Sequence, residues 1–172
     1  DRVAGFEAAM FQKAREAGVK AVLNAHEAGF TFFDLADIYC EGVSESLFGL
    51  ALKQSGALAK SAVIATKCGI RIPENCETYR YDSSGDYIVQ SCEQSLQRMG
   101  VDCIDIFQLH RPDWLMNPDE VATAFGKLKK AGKVKHFGVS NFQPSQVTML
   151  QSALKAPLVV NQVEASLLRL EP

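Results

Sequence analysis

Phe33-Asp34-Leu35-Ala36-Asp37-Ile38-Tyr39 carries an aspartate and, five residues later, a tyrosine directly after a short apolar run that reads as a β-strand. Two further apolar runs end in the same way. Ala62-Val63-Ile64-Ala65-Thr66 leads into Lys67, and Ile104-Asp105-Ile106-Phe107-Gln108-Leu109 leads into His110. In a parallel barrel the strands deliver their last side chains to one face. That topology gathers a carboxylate, a phenol, an ammonium and an imidazole in one place.

Around these runs, strand-like and helix-like segments alternate, the pattern of βα units on a parallel sheet. The spacing predicts helices near 13–28, 44–55, 86–99, 118–131 and 144–154, with strands near 31–34, 62–67, 104–109, 136–140 and 158–162. Ser44 reads as an N-cap, and Pro118 and Pro144 stand where a first helical turn tolerates proline. Ile88, Cys92, Leu96 and Met99 recur at helical spacing before a stop at Gly100. The stretch from Gly69 to Gly85, with Arg71, Tyr79, Arg80 and Tyr81, reads as a long loop bordering the site, since such loops are usually functional. No linker or repeat interrupts residues 1–172, so one domain is expected.

Two parallel architectures compete, the doubly wound sheet and the closed (β/α)8 TIM barrel. The doubly wound dinucleotide fold calls for G-x-G-x-x-G after its first strand. The chain has neither that pattern nor a P-loop. Functional residues at the ends of several strands favour the barrel, which takes about 250 residues when complete. With 172 residues, a partial barrel of about five to six βα units is expected.

Composition narrows the function classes. A net charge of -2 gives no reason to expect nucleic acid, and no apolar run reaches the roughly 20 residues needed to cross a bilayer. Five cysteines without a C-x-x-C pair argue against a secreted disulfide framework and place the chain in a reducing cytoplasm. An incomplete barrel exposes sheet edges, so self-association through them is expected.

The four strand-end residues suit the reduction of a small-molecule carbonyl. A phenol of pKa about 10 donates a proton at neutral pH only if a cation stabilises its anion, and Lys67 is placed to be that cation. A buried ammonium in turn needs a counter-charge, for which Asp34 is the candidate. His110 would hydrogen-bond the substrate oxygen, leaving Tyr39 as the proton donor.

The sequence resembles the aldo-keto reductases, most closely a bacterial oxidoreductase branch. The matching motifs are Gly29 to Tyr39, Ala65-Thr66-Lys67-Cys68-Gly69, Leu109-His110-Arg111-Pro112-Asp113, Gly138-Val139-Ser140-Asn141-Phe142 and Asn161-Gln162-Val163-Glu164. The resemblance implies a catalytic tetrad of Asp34, Tyr39, Lys67 and His110. It also implies that Ser140, Asn141 and Gln162 hold the nicotinamide carboxamide of NADP(H), bound without a Rossmann domain. The family's first strand is not recognisable in Asp1 to Gln12, and its last two βα units have no counterpart here.

Asp37 reads as a turn or helix cap. Lys67 alone would ordinarily be solvated or snorkelling, and His110 alone would be a satisfied strand-end histidine. His26 and His136 read as structural or solvated, and Lys127, Lys129, Lys130, Lys133 and Lys135 as cations favoured at a helix C-terminus. Cys40 and Cys68 follow site residues, yet buried cysteine is commonly a small apolar residue, and no metal is expected. Trp114, with Leu115 and Met116, is expected to form an apolar wall of the substrate pocket. The competing readings are a non-catalytic nicotinamide-binding or redox-sensing interaction scaffold, or an inactive fragment.

Overall fold

The computed structural model describes residues 2–73 and 78–168. The elements run α1 (Arg2–Glu27), β1 (Phe32–Asp34), α2 (Val43–Gln54), α3 (Gly56–Ser61), β2 (Val63–Cys68), β3 (Ile70–Arg71), β4 (Arg80–Tyr81), α4 (Gly85–Met99), β5 (Ile104–Leu109), α5 (Pro118–Lys130), β6 (Val134–Ser140), α6 (Pro144–Ala153) and β7 (Leu158–Gln162). Five strands form one all-parallel sheet in the order β1-β2-β5-β6-β7. Each new strand adds on the same side, so the order never reverses as it does in a doubly wound sheet. This is the winding of a (β/α)8 barrel, present here as a five-stranded part.

Helices α2, α4 and α5 cover one face of the sheet. Ile104, Phe107, Leu109, Phe137 and Val139 from the strands are buried with Phe48 and Ala51 of α2, Ile88, Cys92, Leu96 and Met99 of α4, and Val121, Phe125 and Leu128 of α5. Each fully buried side chain of this size contributes about 1.5–3 kcal/mol. The rings of Phe125 and Phe137 stack with centroids 4.0 Å apart, fixing α5 on β6. Helices α2 and α4 approach so closely that a Cβ on Gly49 would lie 2.5 Å from the Met99 carbonyl oxygen. Glycine is therefore required there.

A polar network is buried in the same layer. Glu45 of α2 accepts from Thr66 Oγ1 of β2 and Arg98 Nε of α4, each at 2.6 Å. Ser95 Oγ steadies the same guanidinium at 3.1 Å. Three elements are thus tied at one fully buried carboxylate.

Several boundaries differ from the sequence expectation. Helix α1 begins at Arg2, not near 13, so helix occupies the stretch in which no first strand was recognisable. Helix α3 is too short to show a period; Ser55 caps it by accepting from Leu58 N. Helix α2 is preceded by Gly42 as N-cap, not Ser44, because Gly42 takes the left-handed turn (φ 84°) that launches the helix. The Gly69–Gly85 stretch is not wholly irregular, since β3 and β4 pair as an antiparallel hairpin. Strand β6 starts two residues before 136, at Val134, where exposed Lys135 and His136 mask its strand character.

Candidate active site

Backbone pairing sets the site. Asp34 ends β1, Lys67 lies in register with Gln108, Cys68 with Leu109 and Leu109 with Val139, while Ser140 lies opposite Gln162. His110 follows directly and donates its backbone N–H to the Cys68 carbonyl at 2.8 Å. The ends of all five strands therefore stand on one rim, with Asp34, Lys67, His110, Ser140, Asn141 and Gln162 on it.

Lys67 is 1 % exposed, contrary to the solvated habit of lone lysines. Its Nζ donates to both Asp34 oxygens at 2.8 Å and to the Leu35 carbonyl at 3.0 Å. All three ammonium hydrogens are thereby engaged. The same Nζ lies 5.2 Å from the centre of the Tyr39 ring, within cation–π range. It reaches the phenol through space.

Tyr39 is carried by a turn that continues the β1–β2 ladder. Leu35 N donates to the Ala65 carbonyl and Asp37 N to the Lys67 carbonyl, at 2.8 and 3.0 Å. The chain then reverses through three successive left-handed residues, Cys40 (φ 49°), Glu41 (φ 55°) and Gly42 (φ 84°). Two of the three are not glycine, so this reversal is costly backbone held by its surroundings. Asp37 supplies one hold: its Oδ2 accepts from Ser91 Oγ of α4 at 2.7 Å. Burial raises the Asp37 carboxyl to about 6, and its Oδ1 is buried without a partner. It is more than a cap.

His110 packs edge-on to Tyr39, with ring centroids 5.7 Å apart at 81°. Burial, then the nearby charges of Lys67 and Arg111, lower its pKa to about 4. It is neutral at pH 7. Its Nδ1 is buried with no partner, so it is not a satisfied histidine.

The other rim residues form a chain of contacts. Asn141, itself left-handed at φ 62°, donates from Nδ2 to Ser140 Oγ at 2.8 Å and to the His110 carbonyl at 3.4 Å. Ser140 Oγ donates to the Gln162 carbonyl at 2.9 Å. Gln162 Nε2 then donates to Asp34 Oδ2 at 3.0 Å. A register shift between Phe137 and Val139 inserts one extra residue into β7 and re-phases Asn161 and Gln162 against β6. Sequence pattern alone did not reveal the Gln162–Asp34 contact or the bulge; the motif Asn161-Gln162 was the available signal.

Trp114 is 86 % exposed on the segment after His110, with Leu115 93 % exposed. Asp113 pins that segment, accepting from Leu115 N at 3.0 Å and from Ser83 N at 3.3 Å, so the stretch after β4 does reach it. Cys68 is a buried core residue whose thiol is pushed up by burial, while Cys40 is exposed. Among the described residues no group of three or more His, Cys, Asp or Glu gathers to hold a metal. His26 is half-buried and pairs with Ser61 Oγ at 2.8 Å, and His136 is exposed near the start of β6, both away from the rim. No helix among the described residues is long and apolar enough to cross a membrane.

Residues 5–172 match the model of the Aldo/keto reductase family. The chain is 47 % identical over 147 residues to Uncharacterized oxidoreductase YcsN of Bacillus subtilis, covering 83 % of this chain and 49 % of that one. It is 33 % identical over 164 residues to Aldo-keto reductase yakc [NADP(+)] of Schizosaccharomyces pombe, covering 95 % of this chain and 47 % of that one. The holo form of an aldo-keto reductase from Bacillus halodurans superposes with a TM-score of 0.76 at 30 % identity, over 90 % of this chain and 49 % of that one. The chain spans about half the length of the curated relatives it matches. With the strand-end residues on one rim and nearly the whole chain matched, this chain belongs to the aldo/keto reductase family.

Proposed function

We propose that the protein reduces an aldehyde or ketone to an alcohol with NADP(H), Tyr39 giving the proton to the carbonyl oxygen. The observation that carries this reading is the pairing of buried Lys67 with half-buried Asp34, the ammonium lying 5.2 Å from the Tyr39 ring. Asp34 gives the desolvated Lys67 ammonium its counter-charge, and a cation beside the ring favours the phenolate left after proton donation. With every ammonium hydrogen engaged, Lys67 acts on Tyr39 as a fixed charge. His110, neutral at pH 7, orients the substrate oxygen by a hydrogen bond without competing as an acid.

The residues on the rim suit a nicotinamide carboxamide. Asn141 Oδ1 and Gln162 Oε1 have no hydrogen bond among the described residues, which leaves two amide acceptors beside the Ser140 hydroxyl for an amide ligand. Ser140, Asn141 and Gln162 would hold that group, and the Schizosaccharomyces pombe relative named with NADP(+) supports the choice of cofactor. When bound, NADP(H) supplies the hydride. Trp114 gives the substrate an aromatic surface, so an aryl aldehyde is a suitable first substrate, and we place the reaction in the cytoplasm.

The test is NADPH oxidation with an aryl aldehyde by the full-length gene product and by its Tyr39→Phe variant. Losing the proton donor is expected to slow turnover about 10²–10⁴-fold. Equal rates would remove Tyr39 from the chemistry.

A further inference from the structure

The basic run at the end of α5 is only partly accounted for by the fold. Lys133 pairs with Glu93, Lys135 with Asp105, and Lys129 donates to the Lys135 carbonyl. Lys130 has no acidic partner among the described residues, and neither does Lys155 beyond α6. Both line a groove of about 610 Å³ between α5 and α6. Ala122, Phe125, Phe137, Ala153 and Leu154 give it apolar walls.

Gly126 adds an independent observation. It lies inside α5 and lines the groove, and a Cβ built on it would meet nothing within 4 Å. Glycine within a helix costs about 1 kcal/mol relative to alanine, and no neighbour in this chain requires it. What the missing side chain provides is depth in the groove.

We propose that this groove binds an alkyl carboxylate, its headgroup between Lys130 and Lys155 and its chain over Gly126, Phe125 and Leu154. The volume lies in the range of small-ligand sites, about 300–1,000 Å³, and two helix flanks offer a peptide no free strand edge to pair with. Charge fixes the orientation. Asp119, the acidic residue lining the groove, lies eleven residues before Lys130 on α5, roughly 16 Å along the helix axis. An anion is drawn to the lysine end and repelled from the other. The carbonyls at the α5 C-terminus oppose it by only about 0.3–1 kcal/mol.

Calorimetric titration of the protein with dodecanoate, below its micelle concentration, tests the assignment. Saturable one-to-one binding is expected, weakened at least tenfold by Gly126→Phe and by the pair Lys130→Glu with Lys155→Glu. Dodecyltrimethylammonium, with the same chain and opposite charge, is expected to bind at least tenfold more weakly. Should Gly126→Phe fail to fold, the exposed lysine pair decides. Absence of saturable binding, binding unchanged by the lysine pair, or equal binding of the cation would overturn the proposal.

Discussion

Gln162 and Asp34 belong to the two outermost strands of the sheet, 128 positions apart in sequence, and their side chains meet at 3.0 Å. In a flat sheet four strand spacings of about 4.8 Å would hold β1 and β7 roughly 19 Å apart. Two short side chains do not span that distance. The contact therefore measures how strongly the sheet curls at its C-terminal rim, and it delivers a hydrogen bond to the carboxylate that holds Lys67.

Replacing Gln162 tests that link. Gln162→Glu puts a second carboxylate beside Asp34 and should part the two edges more than Gln162→Ala does. Hydrogen exchange at Leu35 and Asp37, whose N–H groups bind β2, should accelerate in the order wild type, alanine, glutamate. An identical exchange pattern in all three would show that the contact contributes nothing to curvature.

Lys67→Met leaves Asp34 without its partner. Breaking a buried pair costs about 3–5 kcal/mol, and the lower end is expected because the Asp34 side chain remains 28 % exposed. Urea unfolding should give a loss near 3 kcal/mol. Asp34→Asn with Lys67→Met should recover part of it.

Glu45 and Arg98 allow a sharper comparison, since Glu45 is 0 % exposed while Arg98 keeps 25 % of its side chain in water. Arg98→Met strands the buried carboxylate and should cost about 3–5 kcal/mol. Glu45→Met lets the guanidinium turn to solvent and should cost less. Equal losses in urea unfolding would contradict this asymmetry.

Stability against pH should carry two opposed contributions between pH 4 and about 6.5. His110 falls from 6.5 to about 4 on folding, so in that window the unfolded chain binds more protons and stability falls as pH falls. Asp37 rises from 3.8 to about 6, so there the folded chain binds more protons and stability grows as pH falls. Asp37→Asn should therefore steepen the loss of stability on acidification, and His110→Gln should reverse its sign. Thermal melts across this range would read both.

The parallel alternation and the strand ends at Asp34, Lys67 and His110 were legible because βα spacing and terminal polar residues are local signals. The pairing of Lys67 with Asp34 also followed, since a buried ammonium requires a counter-charge. Glu45 was not legible: a lone glutamate in an amphipathic helix reads as solvent-facing, and its partners Thr66 and Arg98 come from two other elements. The same holds for Asp37 and Ser91, 54 positions apart. The left-handed run opens on Cys40 and Glu41, where no glycine announces it; only its third residue, Gly42, is one.

The register shift between Phe137 and Val139 gives the rim a further property. Because one additional residue in β7 decides which side chains of that strand look inward, the alignment of Gln162 with Asp34 is a discrete choice. A deletion at Val159 or Val160 would shift the following side chains to the opposite face and leave Asp34 facing a different residue. The carboxylate that ends β1 is thus indexed by a counting step on β7.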